Sequence, residues 1–394
     1  MGTMEQLAGM RTRLQALQGR GYQDPLGFVN VPFDTDYQAK IMAAAREKKN
    51  LKPKLILLIG IGGSNLGTLA VHEALNGLYY NDLTQGPLFY CADAVDVDSL
   101  YALHMIVEKV LQRDEQVLLI VVSKSGTTTE TAANAQLFCD LLKRYRPDDY
   151  HKYMVAITDK DSFLWRQATT IGCQILEVPQ QVGGRFSVFT AVALFPLALL
   201  GIDIEQLCAG ARLACEDDEA AAQRAIWLFD GMQKNLIHDL FIFDASWAAV
   251  GAWYRQLIAE SLGKNAQDVI IPTISTAVDL HSQIQLYFGG PAIRQTIFLI
   301  AEPQYDLKLQ GSTFFDKKRS LTEVQKVIEK GVQQAYQQAG LRYTTMTVQK
   351  NAAAVGHWLQ SAMLTTVYLG HLMKVNVFDQ PQVELYKKEI RALL

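Results

Sequence analysis

Six hydroxyl side chains and one lysine lie within nine residues of this sequence, directly after an apolar run. The segment from Ser123 to Thr131 reads Ser-Lys-Ser-Gly-Thr-Thr-Thr-Glu-Thr and precedes a predicted helix. Hydroxyl and ammonium groups donate hydrogen bonds, and the first turn of a helix adds unpaired amide donors, so a small anion fits here. Capping of the helix explains only one or two of the hydroxyls. The density of donors predicts a binding site for a phosphate monoester.

A glycine-rich segment follows the first apolar run of the chain. From Gly60 to Gly67 it reads Gly-Ile-Gly-Gly-Ser-Asn-Leu-Gly. Glycines permit a close backbone approach and a positive φ, which lets amide groups converge on a phosphate. A tight turn and a dinucleotide fingerprint are the alternatives. The fingerprint requires glycine where this chain has Asn65, and the other common nucleotide loop requires a lysine at a place that Lys124 does not occupy.

Both segments follow candidate strands, so the fold must bring the ends of those strands together. Short apolar runs rich in β-branched residues alternate with helical stretches, which is typical of parallel strands covered on both faces. We therefore predict an α/β fold with doubly wound parallel sheets. The candidate strands are residues 55–61, 87–92, 116–122, 154–158, 174–178, 240–243, 269–275, 295–301 and 343–348, and the last two candidate helices are 354–373 and 383–394.

The chain has 394 residues, more than the ~250 at which single cores stop growing, so we predict more than one domain. An acidic, surface-like segment at 216–219 marks the boundary. The apolar stretch 186–202 is shorter than the ~20 residues of a membrane span and contains Pro196, so we predict a buried helix. The predicted organisation is a helical segment over residues 1–50, a first domain over 51–215, a second domain over 216–375 and a C-terminal helix over 376–394.

The overall composition narrows the class of function. A net charge of −3, from 37 basic and 40 acidic residues, would attract neither nucleic acid nor an anionic membrane, so we expect neither partner. The five cysteines have no zinc-ligand spacing and indicate free thiols in a reducing compartment. The N-terminal residues carry charges and no apolar signal segment. We therefore expect a cytoplasmic protein.

Four further segments join the 123–131 segment in a fixed order along the chain. Residues 182–187 read Val-Gly-Gly-Arg-Phe-Ser, residues 260–264 read Glu-Ser-Leu-Gly-Lys, residues 279–282 read Asp-Leu-His-Ser, and residues 379–387 read Asp-Gln-Pro-Gln-Val-Glu-Leu-Tyr-Lys. In this order the five segments resemble the phosphoglucose isomerase family. The resemblance implies two sugar-isomerase-type (SIS) α/β/α domains. It also implies the reversible isomerisation of glucose 6-phosphate and fructose 6-phosphate, a step of glycolysis and gluconeogenesis.

The resemblance assigns roles to five side chains. Glu260 is implied to be the general base that moves a proton between C1 and C2 through a cis-enediol, and Arg185 to stabilise the enediolate charge. His281 is implied to open the sugar ring, with Glu130 orienting it and Lys387 assisting at the ring oxygen. Taken singly, each has an ordinary structural interpretation, such as a surface carboxylate or a core histidine. The set is chemically sufficient, because aldose–ketose exchange needs a base, a cation beside the oxyanion and a separate acid.

The resemblance also implies substrate contacts without a metal or another cofactor. An arginine and fixed donors can stabilise an enediolate in place of a metal ion. The chain departs from the family pattern at Asn65, where aspartate is common, and at Tyr386, where glycine is familiar. The implied substrate-binding residues are Gly63, Ser64, Ser123, Lys124, Ser125, Thr128 and Gln380.

Family members are dimers in which the neighbouring subunit supplies the histidine, so we expect a homodimer with composite active sites. Three alternatives stay open. A non-catalytic sugar-phosphate sensor needs the phosphate loop but has no need of Glu260 and His281. A dinucleotide-dependent oxidoreductase depends on the glycine-rich segment alone. An isomerase that also accepts mannose 6-phosphate is compatible with every motif.

Overall fold

The computed structural model describes residues 3–264, 270–310, 313–315 and 318–393. Within these residues helices alternate with parallel strands, which confirms the predicted α/β class. The strands are β1 (Leu55–Ile59), β2 (Leu88–Ala92), β3 (Val117–Val122), β4 (Met154–Thr158), β5 (Gln174–Glu177), β6 (Ile237–Ile242), β7 (Ile271–Thr276), β8 (Arg294–Glu302) and β9 (Arg342–Gln349). The helices are α1 (Thr3–Leu17), α2 (Thr35–Asn50), α3 (Leu66–Asn76), α4 (Tyr80–Leu83), α5 (Val97–Leu111), α6 (Thr129–Tyr145), α7 (Phe163–Ile171), α8 (Ala191–Leu199), α9 (Ile204–Glu216), α10 (Glu219–Met232), α11 (Ala248–Leu262), α12 (Ile284–Gly289), α13 (Leu321–Gln338), α14 (Ala352–Leu372) and α15 (Val383–Leu393). Short 3₁₀ helices lie at Pro25–Phe33, Gly62–Ser64, Tyr150–Tyr153, Gly184–Phe186, Ala245–Trp247 and Ala277–Leu280.

Five parallel strands form the first sheet in the order β2-β1-β3-β4-β5. The strands β1 and β3 are fully buried, with the sequences Leu-Ile-Leu-Leu-Ile and Val-Leu-Leu-Ile-Val-Val, as expected for strands covered on both faces. The chain runs from β1 to β2 on one side and then returns to β3 on the other side of β1. This reversal opens a crevice at the carboxyl ends of β1 and β3. Both predicted phosphate loops begin at this crevice.

The second sheet has four parallel strands in the order β7-β6-β8-β9. One apolar cluster joins the two sheets, because it contains Ile56 of β1, Leu257 of α11 and Leu240 of β6. The first sheet lies within residues 51–215 and the second within residues 216–375. We propose these two ranges as the bounds of the two domains. The shared core holds the crevice of the first sheet against α11.

Each predicted strand corresponds to a strand of the structure, with described ends that differ by up to three residues. The largest difference is at β6, where the predicted strand begins at Leu240 and the observed strand begins at Ile237. The predicted start of β7 at Val269 lies outside the described residues, as does Leu394 at the end of the last predicted helix. The prediction of helix 354–373 is confirmed by α14, which begins two residues earlier.

The apolar stretch 186–202 forms the buried helix that its composition predicts. All nine residues of α8 are buried, including Pro196. Within the described part of the chain, no helix is long and apolar enough to cross a membrane. The five cysteines are free thiols, and those at 139, 208 and 215 are buried.

The acidic segment 216–219 is not wholly a surface feature, because Asp218 is only 6% exposed. Arg11 of α1 donates from Nε to Asp218 Oδ1 over 2.9 Å, and the hydroxyl of Tyr368 donates to Asp218 Oδ2. The ion pair raises the pKa of Arg11, chiefly through the hydrogen bond to Asp218. Asp218 therefore fastens the N-terminal helix to α14, and the prediction of a solvated acidic boundary is wrong at this residue.

We expect Asp218→Asn to lower the free energy of unfolding by about 2 kcal/mol, since it removes the buried one of the two carboxylates that pair with Arg11 and leaves only the more exposed Glu219, 2.8 Å away. The matched control is Asp24→Asn, which weakens the more exposed pair between Asp24 and Arg13 of the same helix. That change should cost less than about 1 kcal/mol. Urea denaturation followed by circular dichroism measures both. Equal losses in the two variants would contradict a special role for Asp218.

Candidate active site

A cavity of 560 Å³ opens at the crevice between β1 and β3. Its volume suits a ligand of metabolite size. The lining comes from the glycine-rich segment, the 123–131 segment, the 3₁₀ helix that carries Arg185, α11 and α15. The residues that line the cavity are Ile61, Gly62, Gly63, Ser64, Ser125, Thr127, Thr128, Thr129, Glu130, Gly184, Arg185, Gln256, Glu260, Gln380, Val383, Glu384, Tyr386, Lys387 and Ile390.

The 123–131 segment presents hydroxyl groups to the cavity just before α6 begins. Ser125 and Thr127 lie with their hydroxyl oxygens 3.0 Å apart, and Thr128 lines the cavity beside them. The turn depends on Gly126, which has a φ of 74° and whose Cβ, if present, would lie 2.2 Å from the amide nitrogen of Leu164. Only glycine fits there, because any side chain would meet backbone atoms.

Two residues predicted to bind the phosphate do not line the cavity in this structure. Ser123 is buried, and its Oγ accepts a hydrogen bond from the amide of Gly126 at 3.1 Å, so it shapes the loop from behind. Lys124 Nζ donates to the carbonyl oxygen of Gln180 at 2.6 Å and lies 3.9 Å from Asp159 Oδ2. Burial lowers the pKa of Lys124 and raises that of Asp159 to about 6. The lysine therefore points toward a neighbouring loop.

A close backbone contact places Arg185 beside the glycine-rich segment. A Cβ at Gly63 would lie 2.5 Å from the carbonyl carbon of Gly184, so both segments can meet only because Gly63 lacks a side chain. Ser187 Oγ also donates to the carbonyl oxygen of Gly63 at 3.3 Å. The short 3₁₀ helix that carries Arg185 is consequently held against the glycine-rich end of the cavity.

Arg185 is a buried cation whose guanidinium group is held on every side. The residue is 6% exposed, and its Nη1 donates to Glu260 Oε2 at 2.8 Å and to Gln380 Oε1. Its Nε donates to Ser261 Oγ at 3.1 Å, and Nη2 donates to the carbonyl oxygen of Val377 at 2.9 Å. A planar fork with five donors suits such a set of acceptors, and lysine could not replace it.

Glu260 lies on the last turn of α11 with its carboxylate divided between two donors. Arg185 binds Oε2, and the amide of Gln256, one helical turn earlier, donates to Oε1 at 3.3 Å. Residues four apart on a helix share a face, which accounts for this second contact. Sequence reasoning missed Gln256, although its spacing from Glu260 was a usable signal. Thr127 and Thr129, which also line the cavity, belong to the six predicted hydroxyl donors but were not predicted as individual substrate contacts.

The C-terminal helix α15 covers the cavity and contributes Glu384, Tyr386 and Lys387 to its lining. Lys387 Nζ lies 3.2 Å from Glu384 Oε1. The turn before this helix is held by Lys264, whose ammonium group lies 3.0 Å from Asp379 Oδ1. The predicted lysine and Gln380 therefore reach the same cavity as Glu260. Tyr386, at the position where the sequence departs from the family pattern, lies there too.

His281 is the predicted catalytic residue that the described chain does not bring to this cavity. It follows the 3₁₀ helix Ala277–Leu280 at the end of β7, the edge strand of the second sheet, and it is exposed. Glu130, the carboxylate predicted to orient it, lines the cavity at the start of α6. Within one subunit the described residues thus place Glu130 in the site and His281 on the surface.

The arrangement brings two kinds of chemistry into one cavity. Its hydroxyl groups and helix N-termini suit an anion. Its carboxylate at Glu260 lies against a buried guanidinium group, which suits proton transfer beside a developing negative charge.

Known proteins are similar to this chain over most of its length. The model of the family described as phosphoglucose isomerase matches residues 44–293. A glucose-6-phosphate isomerase of Carboxydothermus hydrogenoformans is 32% identical over an alignment of 420 residues. The alignment covers 97% of this chain and 87% of that protein. A crystal structure of a hypothetical protein from Thermus thermophilus is 28% identical with a TM-score of 0.87 and covers 99% of this chain and 95% of the other.

A crystal structure of a glucose-6-phosphate isomerase from Chlamydia trachomatis has the same fold, with a TM-score of 0.77 at 19% identity. It covers 97% of this chain and 77% of the Chlamydia chain. The family match spans more than half of the sequence, and the similarity to the Carboxydothermus protein extends over nearly all of it. The chain therefore belongs to the phosphoglucose isomerase family.

Proposed function

We propose that this protein is a glucose-6-phosphate isomerase that interconverts glucose 6-phosphate and fructose 6-phosphate in the cytoplasm. The observation that carries the proposal is one cavity lined both by an anion-binding loop and by the Glu260–Arg185 pair. The names of the relatives support the same substrate. No metal or other cofactor takes part in the proposed reaction.

The phosphate of the substrate binds at the crevice between the two loops. Ser125 and Thr128 offer hydroxyl donors, and Gly63 and Ser64 contribute from the glycine-rich segment. Ser123 keeps the loop in shape, and Lys124 joins the phosphate by turning from the carbonyl oxygen of Gln180. Binding energy gained here is remote from the reacting carbons and serves to orient them.

Proton transfer takes place at Glu260 in the same cavity. Glu260 removes the proton from C2 of the open-chain aldose, which gives a cis-enediolate with its negative charge on O1. The hydroxyl proton on O2 moves to O1, and the protonated Glu260 returns its proton to C1, which leaves a carbonyl group at C2 and gives the ketose. Arg185 stabilises the negative charge on the enediolate oxygen, which needs a fixed cation in a site shielded from water. Gln256 holds the second oxygen of Glu260, and Gln380 contacts the sugar.

Ring opening requires an acid and a base near the ring oxygen. We assign these roles to His281 and Lys387, with Glu130 orienting the imidazole. Because His281 lies outside the cavity of its own chain, the proposal requires His281 of the partner subunit. The segment that carries His281 exposes two large apolar side chains, Val278 at 74% and Leu286 at 59%, as expected for side chains that a second copy covers. We infer a homodimer with two composite sites.

Mixing two inactive variants tests the composite site. In a heterodimer of Glu260→Gln and His281→Ala, one site carries both changes and the other carries neither. Random pairing makes half of the dimers mixed, so the mixture should regain about one quarter of the parental activity. Each variant alone is the control. An exchanged mixture that stays as inactive as the single variants would contradict a shared site.

A coupled assay tests the activity itself. Conversion of fructose 6-phosphate to glucose 6-phosphate, detected with an NADP-dependent dehydrogenase specific for the product, should proceed at an unchanged rate after treatment with EDTA. Binding of fructose 6-phosphate without turnover would instead favour the sugar-phosphate sensor. Loss of activity with EDTA that a metal restores would overturn the metal-free mechanism. Mannose 6-phosphate, assayed in parallel, determines whether the enzyme accepts a second aldose.

A further inference from the structure

A second cavity of 520 Å³ lies between α1, the start of the 3₁₀ helix Pro25–Phe33 and the end of α14. Its apolar lining includes Leu26, Val377 and Phe378. Val377 belongs to the surroundings of both cavities, because its carbonyl oxygen accepts a hydrogen bond from Arg185 at 2.9 Å. The turn at 377–378 therefore separates the second cavity from the arginine of the active site.

Three basic side chains line this cavity, and its one acidic group is already bound. Arg13, His371 and Lys374 supply the basic groups. Asp24 accepts hydrogen bonds from Arg13 at 2.6 Å and from the amide of Leu26 at 2.9 Å. Within the described residues, no hydrogen bond or ion pair joins the ammonium group of Lys374. The cavity therefore offers an uncompensated positive charge above an apolar floor.

The backbone of Lys374 shows that this position is not optimised for stability. Its φ is 55°, in the left-handed region, just beyond the C-terminus of α14. The amide of Val375 donates to the carbonyl oxygen of Gly370, which is the bond of a Schellman motif, and glycine is the usual residue at such a place. The attraction between a cation and the helix C-terminus offsets only part of the free-energy cost of a left-handed backbone at a residue that has a side chain. Lys374 therefore lines the cavity at a position where glycine would give the more stable backbone.

We propose that this second cavity binds an organic anion with an apolar body, such as an aryl carboxylate. The carboxylate pairs with Lys374 and with the outer nitrogen atoms of Arg13. The apolar body packs on Val377 and Phe378. A cavity of this volume, largely apolar with a few convergent charged groups, has the properties of a small-molecule site. An anion without an apolar body would leave most of the lining uncovered.

An occupant of this cavity contacts the supports of Arg185 at two points. One is Val377, which Arg185 binds directly. The other is Phe378, whose ring lies 5.2 Å from that of Phe186, the residue after Arg185, and 6.4 Å from that of Phe28. If these contacts differ between the free and the substrate-bound enzyme, the occupant binds the two forms with different affinity. Binding in the two cavities is then coupled. The coupling is reciprocal, so each ligand changes the affinity of the other by the same factor.

Phenylacetate is the probe, and phenylacetamide, which has the same shape without the charge, is its matched control. Ligand-observed NMR on the full chain gives both dissociation constants, so the binding test does not depend on the proposed isomerase activity. We expect phenylacetamide to bind roughly two- to fivefold more weakly, as for the loss of an exposed ion pair. The titration is repeated in an equilibrium mixture of the two hexose phosphates, where we expect phenylacetate to bind with a changed affinity and without displacement.

Lys374→Gly removes the ammonium group and relieves the left-handed backbone, so failure to fold cannot explain its result. We expect it to lose the preference for phenylacetate over phenylacetamide and to melt about 1–3 °C higher. Lys52→Gly is the matched control, because Lys52 has a φ of 52° after α2 and does not line the cavity. It should melt higher and keep the preference. The proposal fails if Lys374→Gly keeps the parental preference, if phenylacetate does not bind the parent, or if hexose phosphate displaces it. An affinity for phenylacetate that hexose phosphate leaves unchanged would refute the coupling.

Discussion

Glu260→Gln is expected to lower kcat by about 10³-fold and to leave the KM for fructose 6-phosphate nearly unchanged. Glutamine has the size of the glutamate side chain but no basic oxygen, so it cannot accept the proton from C2. The side-chain hydrogen bonds of Glu260 go to Arg185 and Gln256, so the described residues of the phosphate-binding loops keep their contacts. Steady-state kinetics in the coupled assay measure the change, and circular dichroism shows whether the variant is folded.

The variant should fold, because Arg185 retains its bonds to Ser261 and to the carbonyl oxygen of Val377. Glu384→Gln is the matched control, since Glu384 is another carboxylate that lines the cavity. Its loss of kcat should stay below about tenfold, or about 1.4 kcal/mol of barrier. Turnover at the parental rate in a folded Glu260→Gln enzyme, or an equal loss in Glu384→Gln, would rule out Glu260 as the base.

The sheet and its two loops could be predicted because their signals are local. The runs Leu55–Ile59 and Val117–Val122 are continuous apolar segments of strand length, and each is followed by residues that suit a turn toward a ligand. The reversal of strand order places both loops at one crevice, a consequence of parallel topology alone. Gly63 and Gly126 can be read from the sequence as positions without a side chain. Only the structure shows which neighbouring backbone atoms leave no room for one.

The pairing of side chains could not be predicted from periodicity. Arg185 and Glu260 are 75 residues apart, and their contact depends on how α11 packs against the first sheet. Lys124 has several acceptors within reach. The sequence does not show whether its ammonium group binds the carbonyl oxygen of Gln180 or a phosphate. Asp218 is predicted at the surface because aspartate is usually exposed, whereas a partner from α1 makes its burial tolerable. The roles of the individual active-site residues were predicted from the family resemblance and not from periodicity, composition or spacing.

Arg185→Lys is expected to lower kcat/KM by about 10²–10³-fold, the usual cost of removing a fixed donor from a developing oxyanion. The charge is conserved, but the geometry is not. The five donors of the rigid fork serve Glu260, Gln380, Ser261 and the carbonyl oxygens of Val377 and Asp379. An ammonium group has three donors on a flexible chain. The remaining acceptors are left without partners in a buried site. The coupled assay at saturating and at low fructose 6-phosphate separates kcat from KM.

A second effect of the same variant must be distinguished from loss of charge stabilisation, because Arg185 also holds the turn that leads into α15. Lys264→Met isolates that effect. Lys264 holds the same turn through Asp379, and it does not line the cavity. Loosening the turn in this way should cost less than about tenfold in kcat/KM, or about 1.4 kcal/mol. If Lys264→Met were as damaging as Arg185→Lys, the arginine would act by positioning Gln380 and Lys387. A large loss confined to Arg185→Lys places its guanidinium group at the enediolate, where no other described cation lies so close to Glu260.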